Sequence, residues 1–136
     1  MMSESDELGK IRKRKLKELE ERFNRKKMEK TIETNDNDFA EKVIKQSMER
    51  PVVVDFWAPW CAPCLMLGPV LERLVDEYGE KFVLAKMNVD GSPQTARAYG
   101  IMSIPAVKMF KGGELSAEFV GAVPESAVRQ WLDGNL

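Results

Sequence analysis

The feature that most restricts the fold of this chain is a Cys-X-X-Cys pair placed directly after an apolar run. Val52 to Trp57 is almost continuously apolar, and Cys61 and Cys64, the only cysteines in 136 residues, follow it closely. A strand that ends near Ala58 and a helix that starts at Cys61 place both sulfurs on one helical face, because residues three apart are neighbours there. The pair can then form a disulfide without backbone movement. This arrangement predicts redox chemistry.

Cys61 is the predicted nucleophile of the pair. A helix N-terminus carries unpaired N–H groups and the positive end of the helix dipole, and both stabilise a thiolate. Cys61 stands first in the turn, so we expect it to be the exposed cysteine. Two other interpretations are a pair of buried structural thiols and half of a four-thiolate metal site built by dimerisation. The neighbouring Trp60 and Pro63 favour redox chemistry.

Composition narrows the chemistry that the chain can perform. Its 136 residues, 43% of them apolar, suffice for one compact domain with an appendage and for a core without disulfide staples. Histidine is absent, which excludes histidine general-base catalysis and histidine metal sites. Gly-rich phosphate-binding motifs are absent too, so we expect no nicotinamide, flavin or other bound cofactor, and electrons must come from a partner protein. We also expect no bound metal.

The same sequence predicts a cytoplasmic protein. No apolar run reaches the length of a membrane span, and the first residues lack the apolar segment of a secretory signal. Seven acidic residues among the first thirty argue against a mitochondrial transit peptide, which is usually poor in acids.

Residues 1–30 differ in character from the rest of the chain. They carry 11 Lys and Arg against 7 Asp and Glu, a net charge of +4, whereas the remainder has 10 against 15, or −5. Apolar residues recur every three to five positions, which predicts an amphipathic helix that is stable only when docked or self-associated, and otherwise partly disordered. These apolar residues are Leu8, Ile11, Leu16, Leu19 and Phe23. Basic clusters at residues 12–15 and 25–27 suggest nucleic acid or an anionic membrane surface as a partner.

Residues 31–136 read as alternating strands and helices. The predicted strands are Thr31–Thr34, Val52–Trp57, Phe82–Val89, Ala106–Phe110 and Leu115–Val120. The last two should form a hairpin, because the Gly112-Gly113 pair between them can supply positive φ. Four helices are predicted in this part of the chain. The first has an apolar face of Phe39, Val43, Ile44 and Met48, and the second covers residues 61–78, where Pro69 should kink it. The other two are Pro93–Tyr99 and Pro124–Asp133. This order predicts an α/β fold in which a central mixed sheet has helices on both faces.

Several motifs accompany the cysteine pair in a fixed order. They are Trp60-Cys61-Ala62-Pro63-Cys64 preceded by Val54-Asp55-Phe56-Trp57-Ala58, then Ile104-Pro105, Phe110-Lys111-Gly112-Gly113-Glu114, and Val120-Gly121-Ala122. Together they make residues 31–136 resemble the thioredoxin family, with residues 1–30 outside the resemblance. The resemblance implies a thioredoxin-like fold and a protein-disulfide reductase, an electron carrier that a thioredoxin reductase-like donor recharges. We expect a monomer that acts on disulfide-containing proteins. A disulfide oxidase or isomerase, and an adaptor recruited by its basic N-terminal segment, are the alternatives.

The resemblance also assigns roles to single residues. Cys61 attacks a substrate disulfide, and Cys64 resolves the mixed disulfide that forms. Asp55 lies beneath the disulfide, near Lys86, and accepts the Cys64 proton through water. Burial of an unpaired carboxylate in a strand is costly, which points to such a role; the alternative is a solvent-facing position at a strand edge. Pro105 is cis and faces Cys61. The implied substrate-binding residues are Trp60, Ala62, Pro63, Ile104, Pro105, Gly121 and Ala122, with Trp57 and Pro69 as structural neighbours.

Three residues depart from the family pattern. Ala62 replaces the usual central glycine, Leu65 replaces a common lysine, and Ala106 stands where threonine often follows the cis proline. None of these changes removes a reacting atom. Ala62 leaves the reduction potential open, because residues between the cysteines alter the geometry and the stability of the thiolate. Leu65 removes a positive charge and leaves an apolar rim.

Overall fold

The apolar run Val52–Trp57 forms the central strand of a five-stranded sheet. The structure is a computed structural model that describes residues 4–136, except for the side chains of residues 4–6 and 23–29. The strands are β1 (Thr31–Thr34), β2 (Val52–Trp57), β3 (Val83–Asn88), β4 (Ala106–Lys111) and β5 (Glu114–Val120). The α-helices are α1 (Glu4–Lys30), α2 (Ala62–Tyr78), α3 (Pro93–Ala98) and α4 (Glu125–Asn135).

The sheet is mixed, in agreement with the expected α/β fold. Its strand order is β1-β3-β2-β4-β5; β1, β3 and β2 run parallel, while β4 and β5 are each antiparallel to the preceding neighbour. The β4–β5 turn consists of Gly112 and Gly113, whose φ angles of 61° and 85° suit the predicted Gly-Gly hairpin. Parallel strands need helical crossovers, which cover the sheet on both faces.

Two apolar clusters fill the spaces between the sheet and its helices. Alternate residues of β2 point to opposite faces, so Val53 packs towards α2 and α4, whereas Val52, Val54 and Phe56 pack on the other side. The first cluster is completed by Leu67, Leu71, Leu74, Val75, Phe82, Leu84, Val107, Met109, Val128 and Leu132. Burial on both faces explains why the strand is almost uniformly apolar, and it makes the exception, Asp55, conspicuous.

The predicted helix after β1 differs in form from expectation. Residues Ala40–Lys45 form a π-helix and Gln46–Met48 a 3₁₀ turn, so the rotation per residue departs from that of an α-helix. Phe39 and Val43 are buried as predicted, but Met48 is 67% exposed. The assignment of Met48 to the buried face was therefore wrong, because a 3.6-residue period does not persist through these turns.

Helix α1 is a single long helix that leads directly into β1. Of its predicted apolar stripe, Leu8, Ile11, Leu16 and Leu19 are 43–60% exposed, so these side chains are not buried against the sheet domain. Phe23 and the basic cluster at residues 25–27 lie outside the described side chains. Across residues 4–136, no helix combines the length and the apolar character needed to cross a membrane.

Candidate redox site

The two cysteines lie at the start of α2, shortly after the end of β2, as their spacing predicts. Cys61 is the N-cap of α2, with φ −94° and ψ 103°, and its Sγ accepts a hydrogen bond of 3.3 Å from the backbone N–H of Cys64. Pro63 fits in the first turn because the N–H that it lacks would have no helical partner there. Cys61 and Cys64 form a disulfide with Cα atoms 5.3 Å apart, so the structure represents the oxidised state.

Cys61 is less accessible than its position in the turn suggests. It is 5% exposed and Cys64 is 2% exposed, so the expectation of one plainly exposed cysteine was wrong for the oxidised state. The disulfide packs with Ala58 against Val89 and Ile104. The Ile104 carbonyl oxygen lies 3.8 Å from Cys61 Sγ, a contact rather than a hydrogen bond because a disulfide sulfur has no proton to donate.

A cleft of about 550 Å³ opens beside Cys61. Four of the predicted substrate-binding residues line it, namely Trp60, Ala62, Pro63 and Ile104. The other lining residues besides Cys61 are Val89, Ala96, Ile101, Met102 and Ser103. Residues 101–103 directly precede the Ile104-Pro105 motif, so continuity of the loop could have suggested them, whereas nothing in the sequence points to Val89 or Ala96.

The Trp60 indole forms one wall of this cleft. Trp60 is 70% exposed, yet its Nε1–H donates a 2.9 Å hydrogen bond to Asp90 Oδ2. This bond fixes the orientation of a large apolar side chain that packing alone would leave free. Asp90 was not among the sequence-predicted residues, because a contact across thirty positions leaves no local signal.

The remaining predicted rim residues lie on neighbouring loops. The Ile104–Pro105 peptide is cis and Pro105 is buried. The N–H of Gly121, whose φ is 97°, donates a 2.8 Å hydrogen bond to the Pro105 carbonyl, which ties the two loops together. Gly121 and Ala122 are not among the residues that line the cleft, and neither is Pro69, which is exposed on α2.

Asp55 is buried on the face of the sheet that packs against α2. Its side chain is in phase with that of Val53, and the residue is only 1% exposed, so the alternative of a solvent-facing strand edge is wrong. Neither carboxylate oxygen has a hydrogen-bond partner among the described residues. Burial raises the pKa of Asp55 from 3.8 to about 6; the Lys86 charge opposes this rise and the Glu72 charge adds to it.

Lys86 lies next to Asp55 on β3, but its ammonium group pairs elsewhere. Lys86 Nζ donates a 2.8 Å hydrogen bond to Glu72 Oε1 on α2 and lies 5.1 Å from the centre of the Trp57 ring. A smaller cleft of about 170 Å³, lined by Glu33, Thr34, Trp57, Lys86 and Asn88, opens on this side. Glu72 was not predicted, although its spacing of eight residues from Cys64 places both on one helix face.

Comparison with known proteins supports the redox chemistry of the Cys61–Cys64 pair. A family model described as Thioredoxin matches residues 30–134. A thioredoxin from Chlorobaculum thiosulfatiphilum is 42% identical over 107 residues, which cover 79% of this chain and 97% of that protein. Thioredoxin 1 from Nostoc sp. is 41% identical over 109 residues, or 80% of this chain and 100% of that protein. The chloroplastic M-type thioredoxin of Chlamydomonas reinhardtii is 43% identical over 102 residues, covering 75% and 71% respectively.

Proposed function

The chain belongs to the thioredoxin family, and we propose that it is an electron carrier that reduces protein disulfides and is recharged by a separate reductase. It is a protein-disulfide oxidoreductase that acts by dithiol-disulfide exchange through Cys61 and Cys64. The observation that carries the proposal is the placement of this disulfide at the N-terminus of α2, beside an open apolar cleft.

Reduction of a substrate follows from the order of the two cysteines. The Cys61 thiolate attacks one substrate sulfur, forms a mixed disulfide and releases the other substrate sulfur as a thiolate. Cys64 then attacks Cys61 Sγ, which forms the Cys61–Cys64 disulfide and releases the second substrate thiolate. Two electrons pass from the protein to the substrate. The Cys64 N–H that points at Cys61 Sγ stabilises negative charge on that sulfur.

We propose that Asp55 takes the proton of Cys64 in the second step. Burial without a hydrogen-bond partner raises its pKa to about 6, close to the pH at which a proton acceptor must work. Lys86, directly opposite Asp55 on β3, supplies the nearby positive charge. Trp57 packs beside the disulfide and against the Lys86 ammonium, a structural role.

Substrate is proposed to bind on the apolar surface around the cleft. Trp60, Leu65, Met66 and Met102 are each more than half exposed, and Met102 reaches 95%. Large exposed apolar side chains that cluster around a reactive group are typical of an interaction site. The cleft has room for an apolar side chain next to the substrate cysteine, and the flexible methionines can adapt to different substrates.

Replacing Trp60 with alanine tests this surface. We expect KM for a protein disulfide to rise about tenfold, because a fixed aromatic wall contributes on the order of 1.4 kcal/mol to binding. kcat should stay within about twofold, since both sulfurs remain in place. Met48→Ala is the matched control, because Met48 is similarly exposed but lies beside the β4–β5 turn. An unchanged KM in the Trp60 variant would exclude this wall as a binding surface.

The reduction potential of the Cys61–Cys64 couple tests the direction of electron flow. Equilibration in glutathione or dithiothreitol buffers should give about −270 mV, the value usual for this family. Ala62→Gly is the matched variant, because Ala62 is the departure from the family pattern that lies between the two sulfurs. A value of about −120 to −180 mV would instead assign the protein to the disulfide oxidases or isomerases.

The setting of the reaction is part of the proposal. We place the protein in the cytoplasm as a monomer, divided into a charged segment at 1–30 and a redox domain at 31–136. In α1, the basic side chains of residues 12–15 are exposed, which supports an anionic partner, either nucleic acid or a membrane surface. This partner and an adaptor role for α1 stay predictions.

A further inference from the structure

Lys86 stands between two carboxylates and pairs with only one of them. Asp55 and Lys86 are directly opposite each other in the parallel β2–β3 register, on the face of the sheet that packs against α2. The Lys86 ammonium nevertheless pairs with Glu72 at 2.8 Å. Within the described part of the chain, Asp55 has no ion-pair or hydrogen-bond partner.

The groups around the Lys86 ammonium explain its position beside Glu72. The Lys86 side chain is 20% exposed and crosses the space between the sheet and α2. A Cβ atom added to Gly68 would lie only 3.5 Å from Lys86 Nζ, so the ammonium lies directly against the backbone of α2. The ammonium also lies 5.1 Å from the centre of the Trp57 ring. Gly68 and Glu72 are one helical turn apart, so the Glu72 carboxylate lies within reach of the Lys86 ammonium at the edge of the sheet–helix interface.

We propose that Glu72 is a positioning residue for disulfide exchange: it holds the Lys86 ammonium away from Asp55 and so leaves Asp55 able to take the Cys64 proton. This inference rests on the proposed role of Asp55. Glu72 acts through Lys86, and its half-exposed position allows it to do so without being buried itself.

The charges around Asp55 show what removal of Glu72 would do. Lys86 approaches Asp55 from β3, Glu72 and Cys64 belong to α2, and the residue paired with Asp55 on β4 is the apolar Val107. Without Glu72, the flexible Lys86 side chain would find its strongest attraction in the buried Asp55 carboxylate, because opposite charges interact more strongly away from water. An Asp55 paired in this way would hold its proton less tightly and would be a weaker base.

A third carboxylate, that of Glu33, also lies near Lys86. Glu33 lies opposite Lys86 on β1 and lines the same small cleft, but it is exposed. Glu33→Gln is therefore a suitable control, because it removes a negative charge near Lys86 and leaves the Lys86–Glu72 hydrogen bond in place. Glu77 is a control farther along α2; it is half-exposed and pairs with Arg129 rather than Lys86.

The test is the pH dependence of disulfide exchange in the full-length Glu72→Gln variant. Pre-reduced protein is mixed with insulin, and the rate is followed from pH 4 to pH 9, while carboxyl ¹³C NMR follows the titration of Asp55. We expect both the acid-side midpoint and the Asp55 pKa to fall by about one unit. Glu33→Gln and Glu77→Gln should leave both unchanged. Equal midpoints in Glu72→Gln and wild type, or an equal shift in either control, would overturn the proposal.

Two further variants separate the possible failures. In a Lys86→Gln background, Glu72→Gln should shift the midpoint by much less than in wild type, since only the direct effect of the Glu72 charge on Asp55 remains. A shift of undiminished size would mean that Glu72 does not act through Lys86 and would overturn the proposal. Asp55→Asn should remove the contribution of Asp55 to the acid-side profile and leave only the dependence on formation of the Cys61 thiolate. If Asp55→Asn keeps the wild-type profile, the proton role of Asp55 fails; if only Glu72→Gln is silent, that role stands and the role of Glu72 fails.

Discussion

Disulfide reduction is expected to fall by a factor of about a thousand or more when Cys61 is replaced with serine. A serine hydroxyl is almost entirely protonated at neutral pH and is a poor nucleophile towards sulfur, and the donor N–H at the start of α2 cannot overcome that difference. The measurement is the single-turnover rate of insulin reduction by the pre-reduced protein. Turnover near the wild-type level in Cys61→Ser would contradict the assignment of the nucleophile.

Cys64→Ser is the matched variant, because it removes the second step and keeps the first. It should accumulate a mixed disulfide between Cys61 and substrate that is visible by mass spectrometry, since no resolving thiol remains. Cys61→Ser should form no such adduct. The same pair of variants separates the enzyme from the adaptor alternative, because partner binding through the exposed face of α1 would survive both substitutions.

Replacing Asp55 with asparagine is expected to stabilise the oxidised protein at pH 7 by about 1 to 3 kcal/mol. The folded-state pKa of about 6, against 3.8 for the free side chain, implies that the ionised carboxylate costs about 3 kcal/mol. A buried amide without a hydrogen-bond partner retains part of that cost, which sets the lower figure. Urea unfolding followed by tryptophan fluorescence measures the difference.

The pH dependence of this gain identifies its cause. Below pH 3.8, Asp55 is protonated in both the folded and the unfolded chain, and its ionisation costs nothing. Between about pH 4 and 6 the unfolded chain loses its proton while the folded one keeps it, so wild-type stability falls as the pH rises. The gain from Asp55→Asn should therefore be complete above about pH 6 and absent below about pH 4. Asp76→Asn, a change at an exposed α2 carboxylate, should show no gain at either pH.

Much of the fold could be predicted because its signals are local. The uniform hydrophobicity of Val52–Trp57 required burial on both faces, and the structure places that strand at the centre of the sheet. The Gly112-Gly113 pair predicted the hairpin because glycine tolerates positive φ, and both residues adopt it in the structure. The segment Ala40–Met48 was less predictable, because π and 3₁₀ turns arise from packing against neighbours and leave no distinct period in the sequence.

The candidate site likewise combines features that the local sequence predicts with features that only tertiary packing determines. The spacing of Cys61 and Cys64 determined that they share a helix start, since two residues one turn apart meet wherever such a helix forms. The burial of Cys61 depends on Val89 and Ile104, which come from distant parts of the chain. Sequence reasoning therefore identified the reacting sulfurs correctly and overestimated the exposure of one of them.

By itself, the sequence determined which residues could react, namely two cysteines at helix-start spacing and an acidic residue within an apolar strand. Only the tertiary structure decided the partner of Lys86, which lies opposite Asp55 in register yet pairs with Glu72 across the sheet–helix interface. The physical reason is that the first feature depends on residues close together in the sequence and the second on residues far apart in it. Spacing along one helix or strand follows from backbone geometry. The position of the end of a long, flexible side chain depends instead on packing and on nearby charges, which come from residues far apart in the chain.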